Sequence, residues 1–213
     1  MRYKGYIFLF LCILAVHAAA QKPFTEGTIV YKVKLISADK KEFSGTYTFV
    51  IKGGEIKKEL KLANGYEDVV LLNCDADKAY SLQNRNGRKF AIQLDMNEMR
   101  QKQQKFAGYS VTDEESDNNA AGYAVYKGSV SYHDGTAVNV RYIKELRPLQ
   151  GITFERFPDA KFLPASFSYE DENNMVMQFE VQKVEPGPVE NAVFRIPADY
   201  KMISNSEYRQ LSR

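Results

Sequence analysis

The feature that most constrains the fold is an alternation of apolar and polar side chains with a period of two. Lysines alternate with Tyr31 and Val33, and residues 45–52 place Tyr47 and Phe49 on one side of the backbone. Successive side chains of a β-strand point to opposite faces, whereas a helix repeats every 3.6 residues. The pattern therefore predicts a chain built mainly from strands.

Glycine and asparagine separate the predicted strands of the first half. Turn signals stand at Gly53-Gly54, at Asn64-Gly65 and at residues 84–87. Glycine adopts the positive φ that a two-residue hairpin requires, and asparagine tolerates it. Strands are predicted at residues 28–36, 45–52, 55–62, 66–73, 78–83 and 89–94. Neighbours in such a meander pair antiparallel, and a long twisted sheet of this kind curls.

The second half mixes strands with helices and loops. Residues 95–106 predict a helix, because good helix formers follow the capping residue Asp95. Its apolar residues are sparse, so it is expected to cover a sheet rather than lie inside one. Ser204 and Glu207 form a capping box that predicts a second helix at residues 204–211.

The remaining segments of this half are predicted to be strands and two loops. Residues 112–119 indicate a polar loop, and residues 152–162 a loop with a short helix, since three phenylalanines there are spaced almost like a helix face. Strands are predicted at residues 122–132, 136–146, 165–170, 175–184 and 191–196.

The N-terminus has the three parts of an export signal. Arg2 and Lys4 precede an apolar run at residues 6–16, and small residues stand at Ala18 and Ala20. This pattern predicts a signal peptide at residues 1–20, cleaved after Ala20, and a periplasmic protein. Residues 21–213 are then expected to form one domain and to act as a monomer.

Two other interpretations of the N-terminus are weaker. An uncleaved anchor needs about 20 apolar residues to span a bilayer, and this run is shorter. A lipoprotein signal at Cys12 needs small residues where Phe10 and Leu11 stand.

Charge and cysteine content narrow the classes of partner. The sequence has 29 basic and 27 acidic residues. Removal of residues 1–20 takes away Arg2 and Lys4 and no acid, so the exported chain is formally neutral. Nucleic acid is therefore not an expected partner, because a neutral chain lacks the field that draws in phosphates. Only Cys74 remains after cleavage, which excludes an internal disulfide and predicts a buried structural thiol.

The sequence carries no recognisable catalytic or metal-binding pattern. His133 is the one histidine beyond residue 20, and it stands in a predicted turn with Asp134. The acids of residues 113–117 lack the oxygen spacing and central glycine of a calcium loop. We expect no enzyme, no cofactor and no metal site. A hydrolase using two carboxylates stays as an alternative, because acidic residues are plentiful.

Aromatic residues supply the candidate binding site. If alternate residues point inward, they line the concave face of the curled sheet. Burial in an ordinary core explains the same residues without a ligand, so both interpretations remain. The predicted ligand-binding residues are Tyr31, Tyr47, Phe49, Tyr123, Val125, Tyr142, Phe167, Tyr169, Met177 and Phe179.

Short motifs near both ends resemble a known superfamily. They are F-x-E-G-T-I-x-Y at residues 24–31, Asp134-Gly135 ahead of a strand, Leu163-Pro164, and F-x-I-P-x-x-Y-K at residues 194–201. In these motifs the chain resembles a periplasmic branch of the LolA/LolB-like superfamily. The resemblance implies a mainly β fold with few helices: an antiparallel, strongly curved open half-barrel with helices across its concave side.

The resemblance also implies a function. Members of known role shelter the acyl chains of lipoproteins, which predicts a periplasmic protein that holds an apolar ligand or a lipoprotein acyl chain. The alternative is an envelope protein-interaction or structural module without a small-molecule ligand. Those members latch their helical lid with an arginine on an early strand, but residues 28–62 carry lysines only, and the chain has no tryptophan.

Overall fold

The computed structural model describes residues 21–171 and 173–211, so the predicted signal peptide lies outside the described residues. The helices are α1 (Met96–Gln104) and α2 (Asn205–Leu211), and 3-10 turns cover Gly151–Thr153 and Asn191–Phe194. The strands are β1 (Lys22–Phe24), β2 (Glu26–Ile36), β3 (Glu42–Lys52), β4 (Glu55–Leu62), β5 (Glu67–Asn73), β6 (Lys78–Arg85), β7 (Arg88–Leu94), β8 (Ser110–Ala120), β9 (Tyr123–Ser131), β10 (Ala137–Ile143), β11 (Leu146–Pro148), β12 (Leu163–Glu170), β13 (Val176–Pro186) and β14 (Lys201–Ser204).

One large sheet organises the described chain. Its 12 strands follow the order β14-β7-β6-β5-β4-β3-β2-β13-β12-β10-β9-β8. All neighbours pair antiparallel except β14, which runs parallel to β7, and a separate pair joins β1 to β11. The edge strands β14 and β8 do not pair with each other, so the sheet does not close into a barrel. It is curved and open, as the sequence predicted.

The inner face of this sheet carries the main core. Along β2, the side chains of Ile29, Tyr31 and Val33 are fully buried, while Lys32 between them is exposed. This alternation follows from the strand geometry that the sequence pattern predicted. Three parts of the chain outside this sheet add to the core: α1, the β1–β11 pair, and residues 151–162, which we call the cover segment.

Helix α1 begins where the sequence predicted. The Asp95 carboxylate accepts hydrogen bonds from the backbone N–H groups of Asn97 and Glu98, which have no partner inside the first turn. Met96 on α1 and Phe106 just beyond it are buried in the main core. The helix therefore covers the sheet, as its sparse apolar residues indicated.

The C-terminal motif packs on the outer face, opposite the main core. Ile196 and Tyr200 contact a small cluster of β5–β7 side chains, namely Val69, Leu71, Leu82 and Ala91. The chain then forms β14 and α2, where the Ser204 N–H donates to the Glu207 carboxylate and the Glu207 N–H donates to the Ser204 hydroxyl. The predicted capping box is confirmed.

Two predicted elements are wrong. Residues 112–119 were expected to be a loop but belong to β8, which pairs with β9 at the edge of the sheet. An edge strand faces water, so it accepts polar residues that the alternation rule rejects. Residues 191–196 were expected to be a strand, but Val193 and Arg195 donate locally to the carbonyls of Glu190 and Ala192 and form a 3-10 turn.

A glycine marks the closest approach of β3 to β4. A β-carbon on Gly45 would lie 1.9 Å from the Lys61 carbonyl oxygen and 2.8 Å from the Leu62 α-carbon. Replacing Gly45 by valine is expected to lower the free energy of unfolding by about 2 kcal/mol, because the two strands must separate. Urea denaturation measures this change. The control is Ser44→Val at the exposed neighbouring position, and an equal loss in both variants would contradict the prediction.

Candidate functional site

The ten predicted ligand-binding residues belong to one connected hydrophobic cluster. Six are buried: Tyr31, Phe49, Val125, Tyr142, Phe167 and Phe179. Four are partly buried and pack against them: Tyr47, Tyr123, Tyr169 and Met177. Strands from both halves of the chain meet here because β13 pairs with β2.

One strand brings two of the ten residues to the margin of the trough. On β9, Tyr126 pairs with Tyr142 and the two rings stack, with centroids 6.1 Å apart. Val125, the preceding residue, is fully buried and belongs to the same hydrophobic cluster. Tyr123 lines a space beside Phe24, which is a buried member of that cluster.

The centre of the inner face is a set of contacting rings, which we call the trough floor: Tyr31, Tyr47, Phe49, Phe167, Tyr169 and Phe179. Tyr31 lies 5.7 Å from Phe49 and 6.3 Å from both Phe167 and Phe179, in edge-to-face geometry. Its hydroxyl donates to the Pro164 carbonyl over 2.6 Å, and burial raises the pKa of Tyr31 well above its usual value. The phenol therefore stays protonated, and its O–H group has a hydrogen-bond acceptor.

Three phenylalanines of the cover segment fill the trough. The ring of Phe154 lies 5.0 Å from Phe49, that of Phe157 lies 5.1 Å from Phe167, and that of Phe162 lies 4.8 Å from Tyr142. The space left beneath the cover segment is about 70 Å³. The trough is closed in this state, and the predicted loop with a short helix is the element that closes it.

Side chains from three other elements hold the cover segment by its backbone carbonyls. Lys58 on β4 donates to the Ile152 carbonyl over 2.7 Å. Tyr132 donates to the Arg156 carbonyl over 2.7 Å, and Gln103 on α1 donates to the Phe154 carbonyl over 3.3 Å. Apart from one 3-10 turn, residues 151–162 have no regular structure. Side-chain bonds and ring packing thus hold the segment in place of a strand ladder.

Two cations lie at the border of the trough. The Lys58 ammonium is 5.8 Å from the Phe49 ring centre, and burial lowers its pKa to about 8, with the Glu155 carboxylate acting in the opposite direction. The Arg156 guanidinium lies between the rings of Phe106 and Tyr169, at 4.2 and 4.1 Å. Such contacts stabilise a cation beside an aromatic face. Among the described residues, Lys58 forms no ion pair.

Sequence reasoning missed Lys58. Residues 28–62 contain no arginine, and Lys58 among them donates a hydrogen bond to the cover segment. A signal was present: the alternation on β4 places Lys58 between Ile56 and Leu60 on the inward side. Charged residues are rarely buried, so a lysine at an inward-facing strand position is an exception that sequence analysis can detect.

Cys74 lies at the junction of α1 and the cover segment. Its thiol is partly buried and free, and burial raises its pKa. The residue packs against the main core, in keeping with a structural thiol. Within the described residues, no group of three or more histidine, cysteine, aspartate or glutamate side chains is placed to hold a metal ion.

A larger groove, of about 700 Å³, lies on the outer face across β2, β13, β12, β10 and β9. Its lining combines apolar residues with cations and serines, namely Lys32, Lys34, Lys127, Arg141, Ser166 and Ser168. Acids offset part of the positive charge, since Lys34 pairs with Glu42 at 2.8 Å and Arg141 pairs with Asp117 at 2.7 Å. The two faces of the sheet therefore differ in chemistry.

No protein-family model and no curated protein matches the chain. Among solved structures it is similar to a LolA superfamily protein from Nitrosomonas europaea, with 11% identity and a TM-score of 0.40 over 83% of this chain and 92% of that one. This is the superfamily that the sequence motifs resemble. No helix within residues 21–171 and 173–211 is long and apolar enough to cross a membrane.

The chain is also similar to MucB, solved alone and in complex with MucA(peri). Identity is 12% and 9%, with TM-scores of 0.40 and 0.42 over 82% and 83% of this chain. The match covers 57% of each MucB chain, so this protein spans little more than half of MucB's length. Similarity at this level concerns the fold alone.

Proposed function

We propose that this chain is an exported periplasmic binding protein, with residues 21–213 as one domain, that holds an apolar ligand or a lipoprotein acyl chain on the trough floor. The observation that carries the proposal is the cover segment. Its three phenylalanines occupy the aromatic trough, but side-chain bonds rather than a strand ladder hold the segment there. A ligand chain and these rings compete for the same space.

The energies set a lower limit on ligand size. Burying one phenylalanine side chain contributes roughly 1.5–3 kcal/mol, so the three rings together contribute about 5–9 kcal/mol. A buried methylene contributes about 0.8 kcal/mol. A chain that replaces the rings therefore needs on the order of 6–11 buried methylenes, which favours long acyl chains over short ones.

Saturated fatty acids of increasing length test the proposal. The wild-type protein is expected to bind a 16-carbon acid and to show no binding of an 8-carbon acid at the same concentration, because the shorter chain does not offset the loss of the rings. In the double variant Phe154→Ala/Phe157→Ala the cover segment competes less, so the threshold moves to shorter chains. Native mass spectrometry and titration calorimetry measure the bound fraction.

The matched control removes a ring elsewhere. Phe90 is buried on β7 and packs against Tyr208 and Ile203, away from the trough. Phe90→Ala is expected to leave the length threshold unchanged. Absence of acyl binding in both the wild type and the double variant would refute the carrier function.

The second candidate function is an envelope protein-interaction module. It is favoured by the outer groove, whose lining includes Lys32, Lys34 and Lys127. Failure of the acyl-binding experiment would leave this function as the better supported one. In that case the trough and the cover segment form an ordinary core.

A further inference from the structure

We infer that the ligand of the trough is a single-chain amphiphile with a carboxylate headgroup, and that Lys58 binds this headgroup when the cover segment is displaced. The inference rests on the proposed function and adds the class of ligand. Its basis is the position of the Lys58 ammonium inside an aromatic lining.

Lys58 lines the small space beneath the cover segment together with Tyr47, Phe49 and Tyr169. Its ammonium donates a hydrogen bond to the carbonyl of Ile152, which belongs to the cover segment itself. Displacement of the segment removes that acceptor. An ammonium left beside apolar rings without an acceptor is costly, so opening requires a replacement.

A carboxylate is a better replacement than a neutral oxygen. A hydrogen bond between an ammonium and a carboxylate is charge-assisted and about twice as strong as a neutral one. An ester or an alcohol on the same chain offers only a neutral acceptor, as the Ile152 carbonyl does. The acid therefore gains free energy from the exchange at Lys58, whereas the ester does not.

Two other charged groups near Lys58 move with the cover segment. Glu155, whose carboxylate acts on Lys58 through space, and Arg156, whose guanidinium packs on Tyr169, both lie within residues 151–162. Opening removes an acid that would repel an anionic headgroup, and it removes the second cation as well. Lys58 stays on β4 as the fixed positive charge at the trough.

Palmitate and methyl palmitate test the inference, since they share one chain and differ in the headgroup. The wild-type protein is expected to bind palmitate about tenfold more tightly or better. Lys58→Met keeps the length of the side chain and is expected to abolish the preference while the ester still binds. Lys58→Arg is expected to retain the preference.

Lys57→Met is the matched control, because Lys57 is the next residue on β4, points to the outer face and pairs with Glu59 at 2.9 Å. It is expected to keep the full preference for palmitate. Equal binding of acid and ester by the wild type, or a preference that survives in Lys58→Met, would overturn the inference and leave the carrier function standing. Binding of neither compound by the wild type would overturn both.

Discussion

Replacing Tyr31 by alanine is expected to lower the free energy of unfolding by about 4 kcal/mol, the range for removal of a large buried aromatic side chain. Tyr31 is fully buried and contacts the rings of Phe49, Phe154, Phe167 and Phe179. The substitution removes a ring that contacts both the trough floor and Phe154 of the cover segment. Chemical denaturation followed by circular dichroism measures the loss.

Tyr31→Phe separates the contribution of the hydroxyl from that of the ring, and Tyr66→Ala is the control at an exposed position. Tyr31→Phe keeps the ring but leaves the Pro164 carbonyl without its donor, so it is expected to cost about 1–2 kcal/mol. Tyr66→Ala removes a tyrosine whose residue is 51% exposed and should change stability by less than about 1 kcal/mol. If Tyr31→Ala costs no more than Tyr66→Ala, the ring cluster is not the centre of the core.

Raising the pH from 7 to 10 is expected to stabilise the wild-type protein relative to Lys58→Met by about 2 kcal/mol. Burial lowers the pKa of Lys58 from 10.5 to about 8 in the folded state. Between these two values the unfolded chain holds a proton on Lys58 that the folded chain has released. The unfolded state then binds more protons, so stability rises with pH, and below pH 8 the protonated lysine carries its full burial cost.

Denaturation of both variants across this pH range gives the difference directly. Groups that do not interact with Lys58 are common to both proteins, so their effects cancel in the comparison. Lys57→Met, at the outward-facing position, is expected to follow the wild-type pH dependence. Parallel curves for the wild type and Lys58→Met would contradict the burial of the ammonium.

The regular meander could be predicted from the sequence because one face of each strand is buried. β2 to β7 have the expected order, and the helices at Asp95 and at Ser204 begin where the capping residues indicated. β8 and β14 were missed because both are edge strands: one is polar, and the other is short and depends on pairing with β7. The alternation of apolar and polar side chains along a strand does not indicate which distant strand pairs with it.

The sequence indicated which aromatic residues meet in the core but not that the cover segment closes over them, and their role in ligand binding stays a prediction. The rings of Tyr31, Phe49, Phe167 and Phe179 meet as expected, since β13 and β2 are adjacent and in register. The cover segment was recognised only as an ambiguous stretch, because nothing in its spacing indicates which surface its rings contact.

The place of β2 between β3 and β13 governs how the chain folds. β2 is synthesised early, but β13, which pairs with one of its two edges, lies near the C-terminus. Until then the meander presents an unpaired edge rich in β-branched and aromatic residues, the kind of edge that pairs with other chains. Native contacts of such large sequence separation slow folding. The nascent protein therefore depends on late closure by β13, and a chain cut short before that strand would be prone to aggregate.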